Sequence, residues 1–131
     1  MKLALKSLVV SLAILSSVFL ISRLEAEDKG EPVTVVSHVD IEPDIVMPQA
    51  EENSWRLFRA ETAATKQDAG LVSYVVLQQI SGPNHFTIVE TWRDEKAYEM
   101  HAASKHTVQF RDDIQPYLGS PFDSRIHHQF R

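Results

Sequence analysis

Between His85 and His106 the chain reads HFTIVETWRDEKAYEMHAASKH, and four of its side chains have chemical potential: Glu90, Trp92, His101 and His106. An imidazole that faces a cavity, with its ordinary pKa of about 6.5, is suited to take a proton from a bound ligand near neutral pH. His106 is spaced to share a helical face with Phe110, Ile114 and Tyr117, and His101 with Ala97 and Tyr98, so both rings should point inward. An inward histidine is either a core residue bonded to a backbone carbonyl or a base in a pocket, and spacing leaves both readings open. Glu90 falls on the same strand side as Phe86, Ile88 and Trp92. A carboxylate among three apolar groups needs a partner, for which Arg93, Arg125 and the histidines are candidates. It then acts either as a salt bridge from strand to helix or as a general base. Trp92, Phe86, Tyr74 and Phe110 are either plain core or an aromatic wall for a flat ligand.

Other chemistries have less support. His101 and His106 are five residues apart, which turns them roughly 140° from each other on an unbroken helix. Only a helix break could bring them together on one ion, and the adjacent His127 and His128 point to opposite faces of a strand. No metal site is expected. The absence of cysteine excludes thiolate nucleophiles, iron–sulfur clusters and cysteine-based zinc sites. There is no dinucleotide-binding or phosphate-binding glycine motif and no G-x-S-x-G, so no cofactor is expected.

The elements that must position these residues follow from local pattern. Val33 to Ile41 is β-branched and reads as a strand, and Gln49 to Lys66 reads as a helix with Leu57, Ala60 and Ala64 on one face. Gln67 to Gly70 ends it, Gly70 being suited to a left-handed cap. Leu71 to Ile80 and the strand from His85 to Trp92 form a hairpin around the turn Ser81 to Asn84. Asp94 caps a helix that continues, with a break around Ser104–Lys105, to about Tyr117, and Ser124 to Phe130 is the last strand. The order β-α-β-β-α-β predicts an α+β, ferredoxin-like split βαβ sandwich with both helices on one sheet face. On the other face Val89, flanked by threonines, joins Val75 and other apolar residues of the second strand, and a surface of that kind needs a cover. The expected cover is a second copy, sheet against sheet, in a homodimer.

The 131-residue chain has 13 basic and 18 acidic residues, a formal net charge of −5. Lys2 and Lys6, the apolar run Leu8 to Ile21 and the sequence Leu24-Glu25-Ala26 read as a secretory signal over residues 1–26. A periplasmic or secreted protein is expected, touching membrane only transiently through that segment; the alternative, an uncleaved membrane anchor, is disfavoured by a run shorter than the roughly 20 residues of a spanning helix and diluted by Ser11, Ser16 and Ser17. Cleavage would leave 10 basic and 17 acidic residues, a charge of −7 that repels phosphates, so nucleic acid is not an expected partner. Residues 27–32 read as a flexible leader and 33–130 as one domain.

The run from His85 to Phe110, with its E-x-W strand end and two histidines five residues apart, resembles the antibiotic biosynthesis monooxygenase family. AGLVSYVVLQQ before it is similar to that family's G-x-x-x-Y strand, through Gly70 and Tyr74. The likeness is greatest to its small quinol-monooxygenase-like members and covers about residues 33 to 130. It departs at Lys66 to Gly70, where the family commonly has an acidic residue and Pro before the Gly, and in its signal segment. The resemblance implies a dimeric α+β barrel and cofactor-independent oxidation of a quinol or related phenol by O₂. His101, His106 and Trp92 would be catalytic, and Tyr74, Phe86, Glu90 and Phe110 would bind an aromatic small molecule. A non-catalytic binding module and a haem-binding or haem-degrading relative are the alternatives.

Overall fold

A computed structural model describes residues 30–130; the expected signal segment, residues 27–29 of the leader and Arg131 lie outside the described residues. Four strands, β1 (Val33–Asp40), β2 (Leu71–Gln78), β3 (His85–Trp92) and β4 (Asp123–His128), make one antiparallel sheet in the order β2-β3-β1-β4. The helices are α1 (Ala50–Thr65), α2 (Glu95–Ala102) and α3 (Lys105–Ile114), followed by a 3-10 turn, Gln115–Tyr117. The chain has the expected ferredoxin-like α+β architecture. Among the described residues no helix is long and apolar enough to cross a membrane.

Strict alternation places the core. On β3, Phe86, Ile88, Glu90 and Trp92 are buried while His85, Thr87, Val89 and Thr91 stay half-exposed on the outer face. β1 contributes Val33, Val35, Ser37 and Val39 to the same inner side. The inner space divides in two. Phe58, Phe86, Phe110, Ile88 and Ile114 form the larger cluster, and Val33, Val35, Trp92, Ala97 and Tyr98 the smaller. Phe58 is the centre of the first, with ring centroids 4.7 Å from Phe86 and 5.7 Å from Phe110.

α1 is rolled differently from the expectation that Leu57, Ala60 and Ala64 face inward. Its buried stripe is Ala50, Ser54, Phe58, Glu61 and Thr65, while Ala60 is exposed. Phe58 buries more apolar area than either alanine could, and Glu61 and Thr65, three and seven residues on, turn inward with it. The helix lacks a side-chain cap at Gln49, but Asp44 accepts from the Glu51 N–H at 3.0 Å and serves the same end. Gly70 takes φ 88°, and a Cβ there would lie 2.6 Å from the Cβ of Ala97. Only glycine fits both the left-handed turn and the close approach to α2.

The break between α2 and α3 falls where expected. Asp94 caps α2 by accepting from the Ala97 N–H at 2.7 Å, and Ser104 restarts the chain by accepting from the Thr107 N–H at 3.3 Å. The new start changes the phase of the second helix, which brings Thr107 inward beside Phe110 and Ile114.

Candidate functional site: an acid–histidine cluster beside an apolar cleft

Three carboxylates and two imidazoles meet between α1, β3, α2 and α3. His101 is 4% exposed and places Nδ1 2.7 Å from Asp68 and Nε2 3.4 Å from Glu90. Glu90 accepts from the Trp92 Nε1–H at 3.0 Å. His106 places Nδ1 3.0 Å from Glu61 and Nε2 3.0 Å from Asp68, so Asp68 bridges both rings. Thr107 donates its hydroxyl to Glu61 at 2.9 Å. The Trp92 and His101 rings lie 4.7 Å apart at 30°, nearly stacked.

The partner of Glu90 is thus a histidine together with an indole N–H. Neither arginine serves: Arg93 pairs with Asp94 and Arg125 with Asp123. Burial pushes the Glu90 carboxyl above its ordinary value, against the charge of His101 and the hydrogen bond from Trp92. For His106, burial opposes the charged ring more than any other single influence. The hydrogen bonds and charges of Glu61 and Asp68 together outweigh it, and the pKa rises above 6.5. A neutral imidazole has a single N–H, so a ring with a carboxylate at each nitrogen is fully satisfied only when doubly protonated. Tyr74 stands opposite Glu90 on β2, and burial, then the charges of Glu90 and Glu61, keep its hydroxyl protonated well beyond the usual range.

The helix break also unites what an unbroken helix would separate. The His101 and His106 ring centroids are 5.5 Å apart. Glu61, His101 and His106 offer ligand atoms that all lie within 4.8 Å of one another, and among the described residues these three could hold a metal ion. Sequence reasoning passed over Glu61, Asp68 and Thr107. Polar residues in helices and turns are common, and nothing local marks Glu61 as buried, although its i+4 spacing to Thr65 and i−3 spacing to Phe58 placed it on a definable stripe.

A cleft of about 340 Å³ opens between α1 and the edge strand β2. Trp55, Phe58 and Arg59 line it from α1 and Lys66 from the residue that follows the helix, with Val76 and Phe86 from the sheet. The expected aromatic wall is therefore divided. Phe86 lines the cleft, Tyr74 and Phe110 pack in the larger core cluster, and Trp92 belongs to the smaller one beside His101. The histidines are in the separate polar cluster.

Residues 45–113, more than half the chain, match the antibiotic biosynthesis monooxygenase family. The chain belongs to that family. An uncharacterized protein of the cyanobacterium Synechocystis is 24% identical over 125 residues, spanning 92% of this chain and 82% of its own length. Among solved structures, a conserved protein of Methanosarcina mazei has a TM-score of 0.69 at 20% identity, covering 78% of this chain and 96% of its own. Rv0793 of Mycobacterium tuberculosis gives 0.69 at 22%, covering 77% and 97%. A crystal structure of an antibiotic biosynthesis monooxygenase gives 0.69 at 20%, covering 76% and 99%. These likenesses show that the antibiotic biosynthesis monooxygenase fold extends over nearly all the described residues.

Proposed function

We propose that this chain is an exported monooxygenase that oxidises a quinol or related phenol with O₂, without metal or flavin. The observation that carries the reading is the buried acid–histidine cluster beside an aromatic-lined cleft, in a chain of this family. The ring of the substrate rests in the cleft, and its phenolic proton leaves through the cluster. Tyr74 is two residues from the cleft-lining Val76 on the inner side of β2 and pairs with Glu90 of the cluster across the strands, so its hydroxyl is the group we assign to pass the proton from cleft to cluster. His106, whose side chain is 27% exposed, is the ring from which a proton reaches solvent. The phenolate so formed is electron-rich enough to reduce O₂, one oxygen atom entering the ring to give a hydroxyquinone and the other leaving as water, so the substrate supplies all the electrons.

Because the pKa of His106 is raised above its ordinary value, this ring accepts a proton only once the pH has passed that shifted value. The rate should rise with pH beyond 6.5 if His106 is the acceptor. A second reading, a non-catalytic binder of small aromatic molecules, is favoured by one feature: all four ring nitrogens of His101 and His106 face carboxylates instead of the cleft. The same feature engages both rings, His101 and His106, that were the candidate axial ligands for a haem.

The test is O₂ uptake and quinone formation from menadiol, with metals scavenged, for the purified protein and for His106→Gln, Tyr74→Phe and the His101→Ala, His106→Ala double variant. Oxidation above the uncatalysed rate that falls at least tenfold in the His106 and Tyr74 variants is expected. Equal rates in all samples, with circular dichroism showing each variant folded, would leave only the binding role. Export is tested by cell fractionation, where full-length protein confined to the cytoplasm would refute it.

A further inference from the structure

The charges at the cleft are of one sign. Arg59 and Lys66 are exposed at its rim, and its floor is Phe58 and Phe86, 4% and 5% exposed. Neither cation forms an ion pair with a described carboxylate; the guanidinium of Arg59 instead lies 5.5 Å from the centroid of the Trp55 ring. Two cations without carboxylate partners at the rim of one apolar cleft give it a local positive sign on a chain of net charge −5. Asp44, Glu51 and Glu52 border a separate and more polar groove that shares Trp55 and Arg59 but does not include Lys66. Glu52 is already paired with Arg56.

We infer that the cleft binds a flat aryl carboxylate, its ring against Trp55, Phe58 and Phe86 and its anionic group between Arg59 and Lys66. The inference rests on the cleft as the substrate site of the proposed oxidation and names the substrate class, a hydroxyaryl carboxylate in place of a neutral phenol. At about 340 Å³ the space is near the lower end for small-molecule sites, roughly 300–1,000 Å³, which suits one or two fused rings and not a large polycycle. Two influences oppose an anion, the net negative charge and the partial negative charge at the C-terminal end of α1. The first is spread over the molecule and screened by salt within about 8 Å, and the second is offset by Lys66 at that end, whereas both cations would touch the ligand directly.

Titrating the purified protein with 2-naphthoate and with its neutral counterpart 2-naphthamide, while following quenching of Trp55 fluorescence, isolates the charge. Tighter binding of the carboxylate by about tenfold is expected, an advantage that shrinks with added salt. In an Arg59→Gln, Lys66→Gln variant the preference should vanish while 2-naphthamide binds as before, and Trp55→Phe should remove the signal. Equal affinity of the two probes, a preference that survives in the double variant, quenching that persists in Trp55→Phe, or no binding of either probe would overturn the inference. Activity is separable from binding. A hydroxynaphthoate that binds with the same charge preference but consumes no O₂ would sink the oxidation and leave the site, and menadiol oxidation without a preference for naphthoate would do the reverse.

Discussion

At the scale of single residues, the cluster turns on which groups are satisfied by neutral and which by charged partners. Glu90 is buried, raised in pKa and bonded to the Trp92 N–H, so Glu90→Gln keeps an acceptor there while removing a buried charge. Its cost in urea unfolding should stay below about 1 kcal/mol, whereas Glu90→Ala, which leaves the indole N–H unpaired, should cost roughly 1–3 kcal/mol. Equal costs would show that the Trp92 bond contributes nothing. His106 gives a pH-dependent prediction. Its folded pKa is raised, so the stability it adds is complete below the ordinary value of 6.5 and is lost as pH rises through the folded value. The stability gap between wild type and His106→Gln should be widest just below pH 6.5 and narrow as pH rises; a gap that widens instead would contradict the pairing with Glu61 and Asp68.

At the scale of elements, the break between α2 and α3 and the turn after α1 do the positioning. Ser104 accepts from the Thr107 backbone and restarts the helix that carries His106, so Ser104→Ala should lower stability by about 1 kcal/mol. Gly70→Ala should cost more, roughly 2–4 kcal/mol, because it adds a strained φ of 88° to a contact of 2.6 Å with Ala97. Both values are read from urea unfolding, and a harmless Gly70→Ala would mean the turn shifts freely. Since Asp68 is two residues before Gly70, the same variant should also disturb the Asp68 bridge, visible as changed imidazole resonances of both histidines. The break was legible in the Ala-Ala-Ser-Lys stretch. The roll of α1 was not, because Leu57, Ala60 and Ala64 form as regular a stripe in sequence as Ser54, Phe58, Glu61 and Thr65 do in space.

At the scale of the whole molecule, one sheet face is covered by helices and the other is open. Val75 and Leu77, 46% and 51% exposed, lie on the open face with half-exposed Val36 and Val89. We propose that a second copy covers it, sheet against sheet. Light scattering should give a dimer, and a Val75→Glu, Leu77→Glu variant should run as a folded monomer by the same measurement. A wild-type monomer at micromolar concentration would remove the dimer from the account.

The sequence by itself determined the order of elements, the two-residue alternation of β3 and the inward facing of His101, since each depends on neighbours a few residues apart; His106, expected inward, is half-exposed, and Thr107 takes the buried place beside Phe110 and Ile114. The sequence also placed Glu90 and Trp92 on one strand side correctly, for the same reason. Only the tertiary structure decided what those residues meet. Asp68 lies 33 residues from His101, Glu61 lies 45 from His106 and 46 from Thr107, and their approach depends on how α1 rolls over the sheet. That roll follows the packing of Phe58 against Phe86 and Phe110, a balance of buried area across three elements that no local spacing records. The same packing separated the histidines from the cleft and left Arg59 and Lys66 at its rim.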